Sequence, residues 1–157
     1  MKSNSGDMPK LSKEKVINYC KSSLKQKMEE LNSEIAKIEE SAANETKSSM
    51  GDKYETGREM MMQEKVKLNG RLETLVKQMT ALGTIDETQH QVVKNGSLVE
   101  TTHANFFIIA AIGALEIERE QVYVISQVAP FAKELIGKRE GDEFHFNGRQ
   151  QHILSLS

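Results

Sequence analysis

Asp52 and Glu55 stand three residues apart in the stretch MGDKYE, residues 50–55, directly after Gly51. Carboxylates at that spacing fall on one face of a helix. They offer hard oxygen ligands, which suit Mg2+ when a few protein ligands are joined by waters and phosphates. The same pair also has a purely structural use, because Asp is a favoured cap residue and acids in a first turn suit the helix dipole. Lys47, Lys53 and Arg58 flank the acids and can either reach phosphate or serve as ordinary solvated charges. The remaining reactive side chains are quieter. His90, His103, His145 and His152 show no zinc-site spacing and no neighbouring Cys. Cys20 lies on an apolar helical stripe and reads as core filling. No phosphate-cradling glycine loop or nucleophile elbow is visible.

What positions the acids follows from the chain around them. At 157 residues the protein can hold one ordinary domain, or a long hairpin plus a small domain. It is 28% charged with a net charge of -2, so a general nucleic-acid coat is excluded and any polyanion must be met locally. A single Cys rules out an internal disulfide. With no signal-like apolar core and no 18-residue apolar run, the expected compartment is the cytoplasm, without membrane contact.

Residues 1–11 read as a disordered lead-in, with Ser12 as an N-cap. From there Ile17, Cys20, Leu24, Met28, Leu31, Ile35, Ile38 and Ala42 recur in steps of three and four, a heptad-like seam on a charged helix. A second seam runs through Met61, Leu68, Leu72, Leu75, Met79 and Leu82, with Gly83 as its C-cap. It has two weak points: Lys65 occupies a seam place, and Gly70 costs about 1 kcal/mol relative to Ala in a helix interior. Met60, Met61 and Met62 cannot all face one seam. Neither narrow stripe can be buried alone, so residues 12–83 are expected to form an antiparallel helical hairpin with its tip near 48–55. The carboxylates then sit at the end of a rod.

From residue 84 the pattern changes to short strands and turns. Asn95-Gly96 and Asn147-Gly148 are two-residue hairpin signals. Phe144 and Phe146 alternate with Glu143 and His145, as in a half-buried strand. APFAKELIG reads as a short helix opened by Pro130 and closed by Gly137. The class is therefore α+β: a helical hairpin, or coiled coil, followed over 84–157 by a small antiparallel β domain with one short helix.

Four strings carry a resemblance. APFAKELIGKREGDEFHFNG, residues 129–148, resembles the closing segment of the Gre family of bacterial transcript-cleavage factors, and NGSLVET, residues 95–101, resembles the strand that opens the same domain. Gly51-Asp52-Lys53-Tyr54-Glu55 matches the family's GDxxE, and Gly70-Arg71-Leu72 lies near its Gly-Arg-Ile/Leu. The order of elements agrees over about residues 12–157. The resemblance implies an FKBP-like β domain that binds RNA polymerase at its secondary channel and a hairpin that enters the channel. Tip acids, here Asp52 and Glu55, would help to hold a Mg2+ shared with the polymerase, so that backtracked nascent RNA is cut by the polymerase's own site. It implies no cofactor of the chain's own, no autonomous enzyme activity and a monomer. Partner contacts would fall on Lys53, Arg58, Pro130, Lys138, Gly141 and Asp142.

The chain also departs from the family. Where the family continues with Asn-Ala-Glu-Tyr, this sequence has Thr56-Gly57-Arg58-Glu59 and then three methionines, and Ala129 stands where a capping Ser is common. Two alternatives therefore stay open: a channel-binding regulator without cleavage, and a helical-hairpin chaperone or adaptor unrelated to transcription.

Overall fold

The computed structural model describes residues 11–48, 52–85 and 88–157, with side chains described for these except 45–48 and 52–54. Residues 1–10 of the expected lead-in and the middle of the expected tip lie outside the described residues. Helix α1 spans Lys13–Ser48 and α2 spans Asp52–Gly83. Ser12 caps α1 as expected: its Oγ accepts the Lys15 N–H at 3.1 Å, and its carbonyl accepts the Val16 N–H at 3.1 Å.

The chain divides into two compact units, one of residues 22–80 and one that joins the ends of both helices to residues 84–157. Within the first unit the seams are where the spacing puts them. Leu24, Ile35 and Leu68 are buried, Met28, Leu31, Ile38, Met61, Leu72 and Leu75 are half-buried, and the positions between them on α1 are almost all exposed. Lys65 does not leave a gap. Its Nζ donates to Glu39 Oε2 at 2.9 Å, joining α2 to α1. Both groups are partly exposed, so the pair is worth only about 0.2–1 kcal/mol, but it lets a lysine stem fill a seam place. A Cβ built on Gly70 would meet nothing within 4 Å. Packing inside this unit does not account for the glycine.

The second unit holds a six-stranded sheet. Its strands are β1 (Leu98–Thr101), β2 (Asn105–Ile108), β3 (Gly113–Ile117), β4 (Glu120–Ile125), β5 (Glu143–Phe146) and β6 (Arg149–Leu156), in the order β3-β4-β2-β1-β6-β5. The α+β class is as expected, but the sheet is mixed where an antiparallel one was expected: β2 pairs with β4 in parallel, Phe106 opposite Tyr123. The cause is topological. After β2 the chain crosses to the edge as β3, and the β3–β4 hairpin returns its second strand beside β2. That return strand must run in the direction of β2.

One turn is as the sequence predicts and two are not. Asn147 and Gly148 have φ of 56° and 77° and join β5 to β6. Asn95-Gly96 is a turn that leads into β1 rather than a hairpin between strands. Glu118-Arg119, with φ of 50° and 72°, makes the β3–β4 hairpin without an Asn or Gly to announce it. Glu118 is held from outside the hairpin by an ion pair with Lys15.

Helix α3 (Pro130–Leu135) packs on one sheet face through Ala132 and Leu135, in a core with Val99, Phe106, Ile108, Phe144 and Ile153. Phe131 is the hub. Its ring stacks on Phe106 at 4.1 Å and meets the edges of Phe146 at 4.3 Å and Phe144 at 5.6 Å. Leu98, Phe107, Val122 and Val124, which point to the opposite face, are also buried. Ala129 at the N-cap of α3 is extended (φ −64°, ψ 146°) and supplies no side-chain bond. Ala129→Ser restores a capping hydroxyl at that geometry. It is expected to raise stability by about 1 kcal/mol in urea unfolding.

Candidate functional site

The tip is built by the start of α2. The helix begins at Asp52 and is continuous through Gly83, so Asp52, Glu55 and Arg58 follow one another at three-residue steps along its first turns. Glu55 is exposed. Arg58 is exposed as well and has a bonded partner. Asp52 and Lys53 are placed by their backbone alone, since their side chains lie outside those described. Lys47 lies in the last turn of α1, its side chain likewise outside. The donor chemistry fits Mg2+: Glu55 offers an exposed hard oxygen ligand, with a second acid one turn earlier on the same helix face. Two protein carboxylates leave most of an octahedral shell to other donors. Among the described residues no group of three or more His, Cys, Asp and Glu side chains stands together to hold a metal.

The other predicted contact residues gather at the two ends of α3 and in the loop that follows it. Pro130 is the exposed first residue of α3. The loop Lys138–Asp142 is a tight turn. Asp142 Oδ2 accepts the Arg139 N–H at 2.7 Å, the Asp142 N–H donates to the Arg139 carbonyl at 3.0 Å, and Gly141 has φ of 91°. The turn is tied down on both sides. Gly141 N–H donates to the Ile153 carbonyl at 2.8 Å, and the Lys138 carbonyl accepts the Val93 N–H at 2.8 Å. The residue types of GKREGDE are thus needed to close this turn: Asp to cap it, Gly for the left-handed φ. Lys138, half-buried, is the charged residue at its mouth.

The histidines take separate places. His145 is exposed, and His152 Nδ1 lies 3.8 Å from Glu143 Oε1 across the β5–β6 pair. His90 is buried, with Nδ1 2.7 Å from Ser97 Oγ, and the same Oγ accepts the Lys94 N–H at 2.9 Å. This pair ties down the approach to β1. Cys20 is fully buried, and burial pushes its thiol up to about 12. The native protein is expected to leave Cys20 unmodified by thiol reagents at pH 8 and to react fully once unfolded. Because the folded thiol titrates above the unfolded one, its contribution to stability is intact below about pH 8.5 and is lost as pH rises toward 12. The alkaline stability loss of the wild type should exceed that of Cys20→Ala.

Two features went unread in the sequence. Lys13, at the first position of α1, is 5% exposed, and its Nζ donates to the Thr88 carbonyl at 3.1 Å, tying the segment after α2 to the start of α1. No local pattern announces a buried lysine at a helix start. A cavity of about 190 Å³ is lined by Glu100, Asn105, Glu120, Glu140, Ser155 and Leu156. Asn105 Nδ2 donates to Glu120 and Ser155 Oγ donates to Glu100, both at 3.0 Å. All but Glu140, which lies in the turn after α3, are scattered along the sequence by strand alternation, and the β4-β2-β1-β6 order brings them into neighbouring strands.

No family model matches the chain, and no curated protein matches it. Solved structures do. The GreA factor homolog 1 (Gfh1) protein of Thermus thermophilus matches at 20% identity and TM-score 0.36, over 87% of this chain and 94% of that one. A second structure, of the transcription factor Gfh1, matches at 21% and 0.37, over 87% and 92%. Thermus aquaticus Gfh1 matches at 21% and 0.32, over 86% and 92%. Among the described residues no helix is long and apolar enough to cross a membrane.

Proposed function

We propose that the chain is a Gre-like accessory factor of RNA polymerase, which stimulates hydrolytic cleavage of backtracked nascent RNA and has no turnover of its own. The observation that carries this reading is the start of α2. The helix opens at Asp52, and the exposed Glu55 stands three residues further on, a spacing that falls on one face of a helix. Asp52 and Glu55 would hold a Mg2+ shared with the polymerase. When bound, the ion polarises the phosphate and acidifies a bound water. The chain's own residues present the two carboxylates on a helix and supply little else to the metal, so the polymerase completes the site. Lys53 and Arg58 flank the acids and can meet RNA phosphates, and the β domain contributes Pro130, Lys138, Gly141 and Asp142 as partner contacts.

The exposed Arg58, Met60 and Met62 immediately after the acids favour keeping a second reading: a factor that binds the polymerase channel and regulates it without cleavage. One assay separates the two. Purified polymerase halted in a backtracked complex is mixed with the protein and Mg2+, and short 3′ RNA fragments are measured. Fragments with the wild type and none with Asp52→Ala/Glu55→Ala support cleavage. Competition with a cleavage factor for the channel, without fragments, supports the regulator. Failure to bind the polymerase at all overturns both.

A further inference from the structure

The exposed large apolar residues of α2 lie away from the seam. Met60, Met62, Val66 and Val76 are 65%, 57%, 69% and 45% exposed. They flank or join a second stripe on α2, formed by Glu59, Gln63, Val66, Gly70, Glu73 and Lys77 in alternating steps of four and three. At 3.6 residues per turn this stripe lies on the side of α2 opposite Leu68 and Leu75. All six residues are exposed, and the space over Gly70 is open.

The stripe is complementary to itself when antiparallel about a two-fold axis between Val66 and Gly70. Glu59 then faces Lys77 of a second copy, Gln63 faces Glu73, and Val66 enters the space over Gly70, each contact occurring twice. In the flanking positions Met62 meets Val76, Met60 meets Thr74 and Asn69 meets its own copy. Only Lys67 meets a like charge. We infer that α2 forms a reversible antiparallel dimer with a second copy of this chain through residues 59–77, with Gly70 as the point of closest approach. The register uses every exposed large apolar side chain among the described residues of α2 and gives a use for a mid-helix glycine that packing inside its unit does not require. The inference is independent of any reading in terms of polymerase.

A contact about 27 Å long between two helices is small, so the dimer is weak and its population depends on concentration. Sedimentation equilibrium of the full chain from micromolar to millimolar protein tests it. The mass is expected to rise from 17.7 kDa toward twice that value. Glu59→Lys or Lys77→Glu alone places like charges together twice and is expected to weaken association about tenfold or more. The two together reverse both pairs and are expected to restore it. Gly70→Leu, exposed and compatible with a helix, is expected to abolish it with an unchanged circular dichroism spectrum. A mass that stays at the monomer value throughout, or a dimer indifferent to the charge reversals and to Gly70→Leu, overturns the inference.

Discussion

Asp52→Ala or Glu55→Ala alone is expected to remove nearly as much RNA fragment release as the two together, at least about 100-fold, because the acids would act as one metal-binding unit. Two carboxylates that share an ion are not additive. Losing either leaves a single protein carboxylate, which competes poorly with water for a strongly hydrated cation. The loss should appear mainly at low Mg2+, and raising Mg2+ should rescue the single variants further than the double. Folding should be untouched by Glu55→Ala, since Glu55 is exposed on the first turns of α2. Thermal unfolding within about 0.5 kcal/mol of wild type would confirm that the loss is one of function. Conversely, fragment release that survives in the double variant would transfer the chemistry to other residues.

Phe107→Ala is expected to destabilise the protein by about 3–5 kcal/mol, a large share of a typical domain's 5–15 kcal/mol. Phe107 is fully buried on β2, directly opposite Leu98 on β1 and Val124 on β4, so one ring spans three strands. Its removal leaves a void that β-sheet hydrogen bonding prevents from collapsing. The melting temperature should fall by about 10 °C or more. Leu154→Ala, on an exposed position of β6, provides the control and should change little.

The helices were legible in the sequence because burial of a narrow stripe imposes a period on it. Leu24, Ile35 and Leu68 could be placed from spacing alone, and Ser12 from its place at the end of the polar lead-in that carries Gly6 and Pro9. The seam place of Lys65 looked like a defect because its partner, Glu39, lies 26 residues away. The sheet was harder to read. Alternation located Phe144 on its inner face, but it carries no information on strand order, and the parallel β2–β4 pair arises only when the β3–β4 hairpin is set beside β2. The Glu118-Arg119 turn was hidden because neither residue is of a type that announces positive φ. At the candidate site, the spacing of Asp52 and Glu55 was visible at once. The turn-closing work of Gly141 and Asp142 was not, because it depends on hydrogen bonds to Arg139 and Ile153.

The boundary between the two units bears on how the molecule can be dissected. Val16, Ile17, Cys20 and Leu82 are buried, and they belong with the sheet rather than with residues 22–80. A peptide cut at 12 and 83, as the heptads alone would suggest, would therefore carry a greasy, thiol-bearing stump stripped of its cover. One cut at 22 and 80 would be the cleaner reagent, and the complementary piece needs both helix ends grafted back to it before it can be expected to express in soluble form.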